Sequence, residues 1–219
     1  MCFSAEVSFV AAAVVTTVGG IAYKKAHTQP LRFLALIPFF FGIQQFFEGI
    51  VWISYMNDNL SYLMEFSTFA FIFFAWMIWP IYIPFTMWKL ETKVIRKRFL
   101  LISIFIGGFV VSALAFVLFK DGVTAQIQDC SINYKSGFAS RHAWALGGLY
   151  FLVTTIPQMI SSLKKVWIMG VLNVITYSTT KVYYNEHVIS VWCFLAAISS
   201  LAILWIIISA KNNDKKEAL

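Results

Sequence analysis

Seven apolar stretches, each long enough to cross a bilayer, dominate this chain, and charge is largely confined to the gaps between them. They run about 5–23, 33–56, 60–88, 98–119, 143–163, 166–184 and 187–210. A spanning helix needs roughly 20 apolar residues, each rising ~1.5 Å. In lipid, backbone N–H and C=O groups must be satisfied inside the segment, so runs of this kind fold as helices. The chain is 60% hydrophobic and 12% charged, about half the charged share of a soluble domain. That leaves too little polar surface to cover a water-soluble globule. The longest polar stretch, about 120–142, is too small to build its own core. The expected fold is one all-α integral membrane domain over 1–219, a seven-transmembrane-helix bundle. No Lys or Arg precedes Lys24, so the first stretch reads as a retained helix and not as a signal peptide.

Basic residues orient the bundle. Lys24, Lys25, Arg32, Lys89, Lys93, Arg96, Lys97, Arg98, Lys164, Lys165, Lys211, Lys215 and Lys216 fall on one side, which makes 13 of the 17. Lys120, Lys135, Arg141 and Lys181 fall on the other. Basic loops stay cytoplasmic, so the N-terminus is expected outside and the C-terminus in the cytoplasm of a cell-membrane protein. The net charge of +7 is then a topology signal, and no nucleic-acid partner is implied. Trp88 and Trp167 near one side, and Tyr55, Tyr62, Tyr183 and Tyr184 near the other, suit interfacial anchors. Pro80 and Pro84 remove backbone donors from the long third stretch and predict a kink there.

Polar groups inside a bilayer are costly and mark function more often than in soluble cores. Glu48 lies roughly 24 Å along its helix from Arg32 at 1.5 Å per residue, in the external half. Gln44 and Trp52 sit one turn either side of it, with Gln45 adjacent, so these residues share a face. Glu48 reads either as a ligand or proton site or as a paired residue holding helices together. A second polar stripe runs through Asn173, Thr176, Tyr177 and Thr180 at i, i+3, i+4, i+7. Thr154, Thr155, Gln158, Ser161 and Ser162 face the same choice between helix–helix glue and a cavity lining. His187, Ser190, Trp192 and Cys193 open the last stretch. Glu65 reads as a solvated acid at a helix end. Cys2 and Cys130 both fall outside and could pair in an oxidising compartment. Cys2, Glu48, His187 and Cys193 have metal-ligand chemistry, without any supporting spacing. Gly19-Gly20, Gly107-Gly108 and Gly147-Gly148 are expected to let helices approach closely. No cofactor motif is present.

Met1-Cys2-Phe3-Ser4-Ala5-x-x-Ser8-Phe9 resembles the opening of a family of uncharacterised, mostly bacterial membrane proteins. Phe41-Gly42-Ile43-Gln44-Gln45 with Glu48-Gly49-x-Val51-Trp52 is similar to the same family, as is Ser190-Val191-Trp192-Cys193-Phe194. The resemblance names no reaction but singles out Cys2, Ser4, Glu48, Trp52, His187, Trp192 and Cys193. Separately, Pro157-Gln158 with Lys164 and Gly170 resembles the PQ-loop motif of seven-helix transporters. That resemblance implies a 3+1+3 arrangement with a hinge at Pro157 and Gln158. The first half departs from it, with Thr17-Val18 at the aligned place.

Three functions follow as expectations. The first is a bundle that binds or transports a small solute or ion through a polar pocket in the external half. Glu48, Gln44, Gln45, Trp52, Asn173, Tyr177, His187 and Trp192 would form that pocket. The second is an intramembrane hydrolase acting on lipid, metal-dependent in one version, with Glu48 or His187 as base and Ser4 or Cys2 as nucleophile. The third is a non-catalytic sensor or subunit working with a membrane partner or as a homo-oligomer.

Overall fold

A computed structural model describes residues 3–128, 131–136 and 143–217. The fold is all-α apart from one β-hairpin, and five of its helical rods are long and apolar enough to cross a membrane. α1 (Ala5–Lys25) starts on Ser4, whose side chain accepts from the Val7 N–H. α2 (Gln29–Met56) starts on Thr28, whose hydroxyl accepts from Leu31 N, with a proline in the first turn. This cap, with Pro30 pre-set for the helix, moves the start upstream of the expected residue 33.

The third rod is α3 (Tyr62–Phe73), a wide π turn over Phe74–Ile78, and α4 (Trp79–Leu90). Pro80 has no N–H to give the carbonyl four residues earlier, and the backbone widens just upstream of it. The expected kink therefore takes the form of a π turn. α5 (Val94–Asp121) is the least covered rod: 28% of its apolar window is buried, against 61% for α2. The last long rod joins a short 3-10 turn at Asn185–His187 to α8 (Val188–Ser199) and α9 (Ala202–Glu217).

The fifth and sixth expected spans are shorter than the rest. α6 (Ala143–Ile160) has 18 residues and α7 (Trp167–Tyr183) has 17, or roughly 25–27 Å of helix against a ~30 Å hydrocarbon core. α6 stops at Ile160 because the next turn is drawn into a polar network at Ser162. The polar stripe of α7 lowers its apolarity.

Around the bundle α1 packs on α2, α2 on the third rod, and α4 on α5 and α6. α6 then packs on α7 and α7 on α8, while α8 and α9 return to α1 and α2. Glycine sets two of these distances. A Cβ on Gly19 would lie 2.9 Å from Phe39 N, and one on Gly107 would lie 2.0 Å from the Pro80 carbonyl oxygen. Gly147 and Gly148 have nothing within 4 Å, so the close packing expected of that pair is not found.

The polar stretch after α5, too small for a core of its own, forms a hairpin. Gly122, at φ +68, ends α5 and turns the chain into β1 (Val123–Gln128), paired antiparallel with β2 (Ser131–Ser136). Alone it would be marginal. It uses the core of the bundle: Ile132 and Tyr134 are buried, and the Tyr134 ring stacks on Phe71 at 4.7 Å and 12°. β1 packs on α3, and β2 on α8 and α5, so the hairpin covers one end of the bundle.

The opposite end carries the basic loops. There Glu91, almost fully buried, ties the α4–α5 turn to the α6–α7 turn. Its carboxylate accepts from Thr92 N (3.0 Å), Lys93 N (2.9 Å), Ser162 N (2.9 Å) and Ser162 Oγ (2.6 Å). Arg96 Nη1 donates to the same Ser162 hydroxyl at 3.1 Å. Burial alone would raise the Glu91 carboxyl. The Ser162 hydroxyl and the three backbone N–H groups outweigh it and hold the carboxyl below its ordinary value.

Candidate functional site

Two cavities lie between the helices, and they share a wall. The outer chamber, about 280 Å³, sits toward the hairpin end among the π turn, α5, β2, α6, α7 and α8. The inner one, about 60 Å³, runs toward the basic end among α2, α4, α6, α7, α8 and α9. Tyr150, Trp192 and Cys193 line both.

The wall is held by polar contacts. Tyr150 donates its hydroxyl to the Ala75 carbonyl, inside the π turn. Trp192 Nε1 donates to Asn173 Oδ1 at 3.1 Å, and Asn173 Nδ2 donates to Thr155 Oγ1 at 2.8 Å. Trp192 meets Tyr177 edge-on at 4.9 Å, and Tyr177 stacks on Phe151 at 4.4 Å. On α7, Asn173 lines the inner cavity and Tyr177 the outer chamber. Gln158 lines the inner cavity, with Nε2 donating to Thr154 O at 2.6 Å, and Pro157 stays within a continuous helix.

The polar face of α2 forms a second, closed cluster on the far side of Cys193. Glu48 is 2% exposed and Gln44 and Gln45 are fully buried. Ser190 Oγ donates to Glu48 Oε1 at 2.5 Å, joining α8 to α2. Trp79 Nε1 donates to Gln44 Oε1 at 2.9 Å while its ring stacks on Phe41. Cys193 stands beside both Gln44 and Glu48. Among the described residues, Gln44 Nε2, both amide atoms of Gln45, Trp52 Nε1 and the Tyr134 hydroxyl have no hydrogen-bond partner. Burial, with Glu48 and Cys193 nearby, pushes the Tyr134 phenol well above its usual range, so it is a neutral donor.

Glu48, Gln44, Gln45 and Trp52 are thus brought together by the fold, but they are separate from the residues that line the two cavities. His187 is buried at the start of α8, its Nδ1 has no hydrogen-bond partner among the described residues, and it lines neither cavity. Among the described residues no group of three or more His, Cys, Asp and Glu could hold a metal ion. Cys2, named with Glu48, His187 and Cys193 as speculative ligands, and Cys130, its suggested disulfide partner, lie outside the described residues.

Sequence reasoning did not select Tyr150, Tyr134, Trp76 or Lys181. Tyr150 carried a signal, since it sits one turn before Thr154 on an otherwise apolar helix. Tyr134 carried none, because its burial depends on where the hairpin docks. Ser190→Ala is expected to cost about 1–2 kcal/mol in detergent-solubilised protein, by leaving a buried carboxyl oxygen without its donor. Ser190→Thr should retain most of the stability. Equal unfolding of the wild type and Ser190→Ala would mean that the contact contributes nothing.

A family model described as "Family of unknown function (DUF6629)" matches residues 1–218. No curated protein and no solved structure matches the chain.

Proposed function

The chain belongs to this family of unknown function, and we propose that it is a cell-membrane carrier for a small organic solute. The solute enters the outer chamber and leaves through the inner cavity, past Tyr150, Trp192 and Cys193. The shared wall carries this reading, because two cavities that meet at three side chains need only local movement there to become one path. In this reading all seven rods cross the membrane, with the hairpin end outside, as the basic loops favour. Neighbouring helices and the hairpin cover the polar parts of α6 and α7. The outlying α5 suits a connector between two halves, which is where the 3+1+3 arrangement and a hinge at Pro157 draw support. Glu48 acts through Ser190 on α8, the helix that carries Trp192 and Cys193, and so sets the position of the wall.

Cysteine accessibility tests the path without knowledge of the solute. In a Cys2→Ser, Cys130→Ser, Cys193→Ala background, Gly147→Cys marks the outer chamber and Ser199→Cys the inner cavity. Gly147 has open space for the added side chain. An impermeant thiol reagent is expected to reach the Gly147→Cys variant from the hairpin side and the Ser199→Cys variant from the basic side. No labelling of Ser199→Cys from either side would reduce the proposal to binding in the outer chamber. No labelling of Gly147→Cys would remove it altogether.

A further inference from the structure

Resting on the reading that the outer chamber takes a solute, we infer that its ligand is a single-chain anionic amphiphile, a carboxylate with an apolar tail. The chamber's walls are ring faces and aliphatic groups: Trp76, Leu114, Leu146, Tyr150, Ile189 and Trp192. The polar atoms of two of those rings are already committed. The Tyr150 hydroxyl is bonded to Ala75 O and Trp192 Nε1 to Asn173. A ligand body rich in hydroxyls or amides would find few partners on walls that offer little beyond Ser136, the Tyr177 hydroxyl and the Trp76 indole, and would lose most of its hydration without replacement. An apolar body loses nothing there.

Among the described residues that line the chamber, Lys181 is the one that carries a charge. It lies one turn beyond Tyr177 on α7, so the cation and the ring face the same way. Lys181 Nζ donates to Asn185 Oδ1 at 3.2 Å, a neutral acceptor that leaves the charge in place. An ammonium has three donors, and the others remain for a carboxylate. Lys181 is exposed, so a head group there keeps much of its water while the tail is buried. The same charge repels a cationic amphiphile. The volume of about 280 Å³ is at the low end of small-molecule sites, which run roughly 300–1,000 Å³. That fits one chain better than a two-chain lipid.

The test uses the full-length protein in phosphatidylcholine nanodiscs, in alkaline buffer, with quenching of tryptophan fluorescence as the readout. The probes are 11-bromoundecanoate, 11-bromoundecanol and 11-bromoundecyltrimethylammonium, whose bromine quenches a ring that it touches. Gly147→Leu fills the chamber and defines the quenching that comes from lipid-facing rings. Ile189→Trp on α8 serves as a second filling variant. The expected result is saturable quenching by the carboxylate that both filling variants lose. The carboxylate should bind about five-fold tighter than the alcohol, the order an exposed ion pair gives. Lys181→Gln should remove that preference and Lys181→Arg restore it. Saturable binding in which the alcohol or the ammonium equals the carboxylate, with Lys181→Gln unchanged, would overturn the anionic class and leave the chamber as a binding site. Loss of the carboxylate signal when phosphatidylglycerol nanodiscs replace the phosphatidylcholine ones would mark a membrane lipid as the occupant and overturn the single-chain assignment. No saturable quenching by any probe would overturn both the ligand class and the binding reading.

Discussion

Glu91→Ala is expected to lower the apparent melting temperature of the detergent-purified protein by about 10 °C. The carboxylate accepts four hydrogen bonds, three from backbone N–H groups and one from Ser162 Oγ. Truncation leaves those donors unpaired at a site that is 2% exposed. Hydrogen bonds to a charged group are worth about 1.5–3 kcal/mol, and buried unsatisfied donors cost about 1–3 kcal/mol each. Some donors will find water at the bundle end, so a net loss of about 3–5 kcal/mol is expected. At roughly 2–4 °C per kcal/mol for a chain of this size, that gives the stated shift.

The pH dependence has a definite sign. The folded state holds the Glu91 carboxyl below its ordinary value, so Glu91 contributes its full stabilisation above the unfolded value of about 4.3. The contribution is lost as pH falls through the lower, folded value. Glu91→Gln keeps the shape but loses the charge. The stability gap between the wild type and this variant should therefore be widest near neutral pH and close under acid. A gap that stays constant into acid would show that the charge plays no part. The consequence for the proposed path is direct, because this contact ties together the two turns that end α4 and α6, both of which line the inner cavity.

Gly107→Leu is expected to do comparable or greater damage, at least 3 kcal/mol, while Gly108→Leu next to it is expected to be nearly silent. A Cβ at Gly107 would stand 2.0 Å from the Pro80 carbonyl oxygen and 2.9 Å from its carbonyl carbon, whereas one at Gly108 meets nothing within 4 Å. Overpacking against side chains costs about 1–3 kcal/mol because rotamers can shift. Here the obstacle is the backbone of α4, so the two helices must separate. α5 also contributes Leu114 to the outer chamber, so the variant should loosen that chamber as well as the fold. Parallel unfolding of the two purified variants checks this, and similar curves for both would mean that α5 is free to stand away from α4. This pair is a sharper test than either variant alone, since the substituted residue type and the helix are the same.

Much of the framework was legible in the chain. Apolar length set the order of the rods, because a backbone in lipid has no alternative to helix. Charge distribution put the basic loops together at one end. Pro80 marked the break in the third rod, since a missing N–H acts on the turn immediately before it. The i, i+3, i+4, i+7 stripe put Asn173 and Tyr177 on one face of α7, where they line adjoining cavities. Of the seven expected spans, those over 143–163 and 166–184 come out shorter, as α6 and α7, for reasons of polar sequence and of the contact between Ser162 and Glu91.

Helical periodicity fixes which residues lie on one face but not which helix that face meets. So Glu48, Gln44 and Trp52 could be grouped from sequence, while Ser190, 142 positions away from Glu48, could not be named as the partner. The same limit hid the separation of the Glu48 cluster from the cavities, which Cys193 and the rotation of α8 determine. It hid Tyr134, whose hairpin has no core until it docks on Phe71. It also hid Glu91, which looks like a surface acid between basic residues until two loops converge on it. The sequence by itself determined the membrane class, the succession of rods and the faces they carry. Only the tertiary structure decided which faces meet, because long-range side-chain pairing depends on helix rotation and packing that no local pattern encodes.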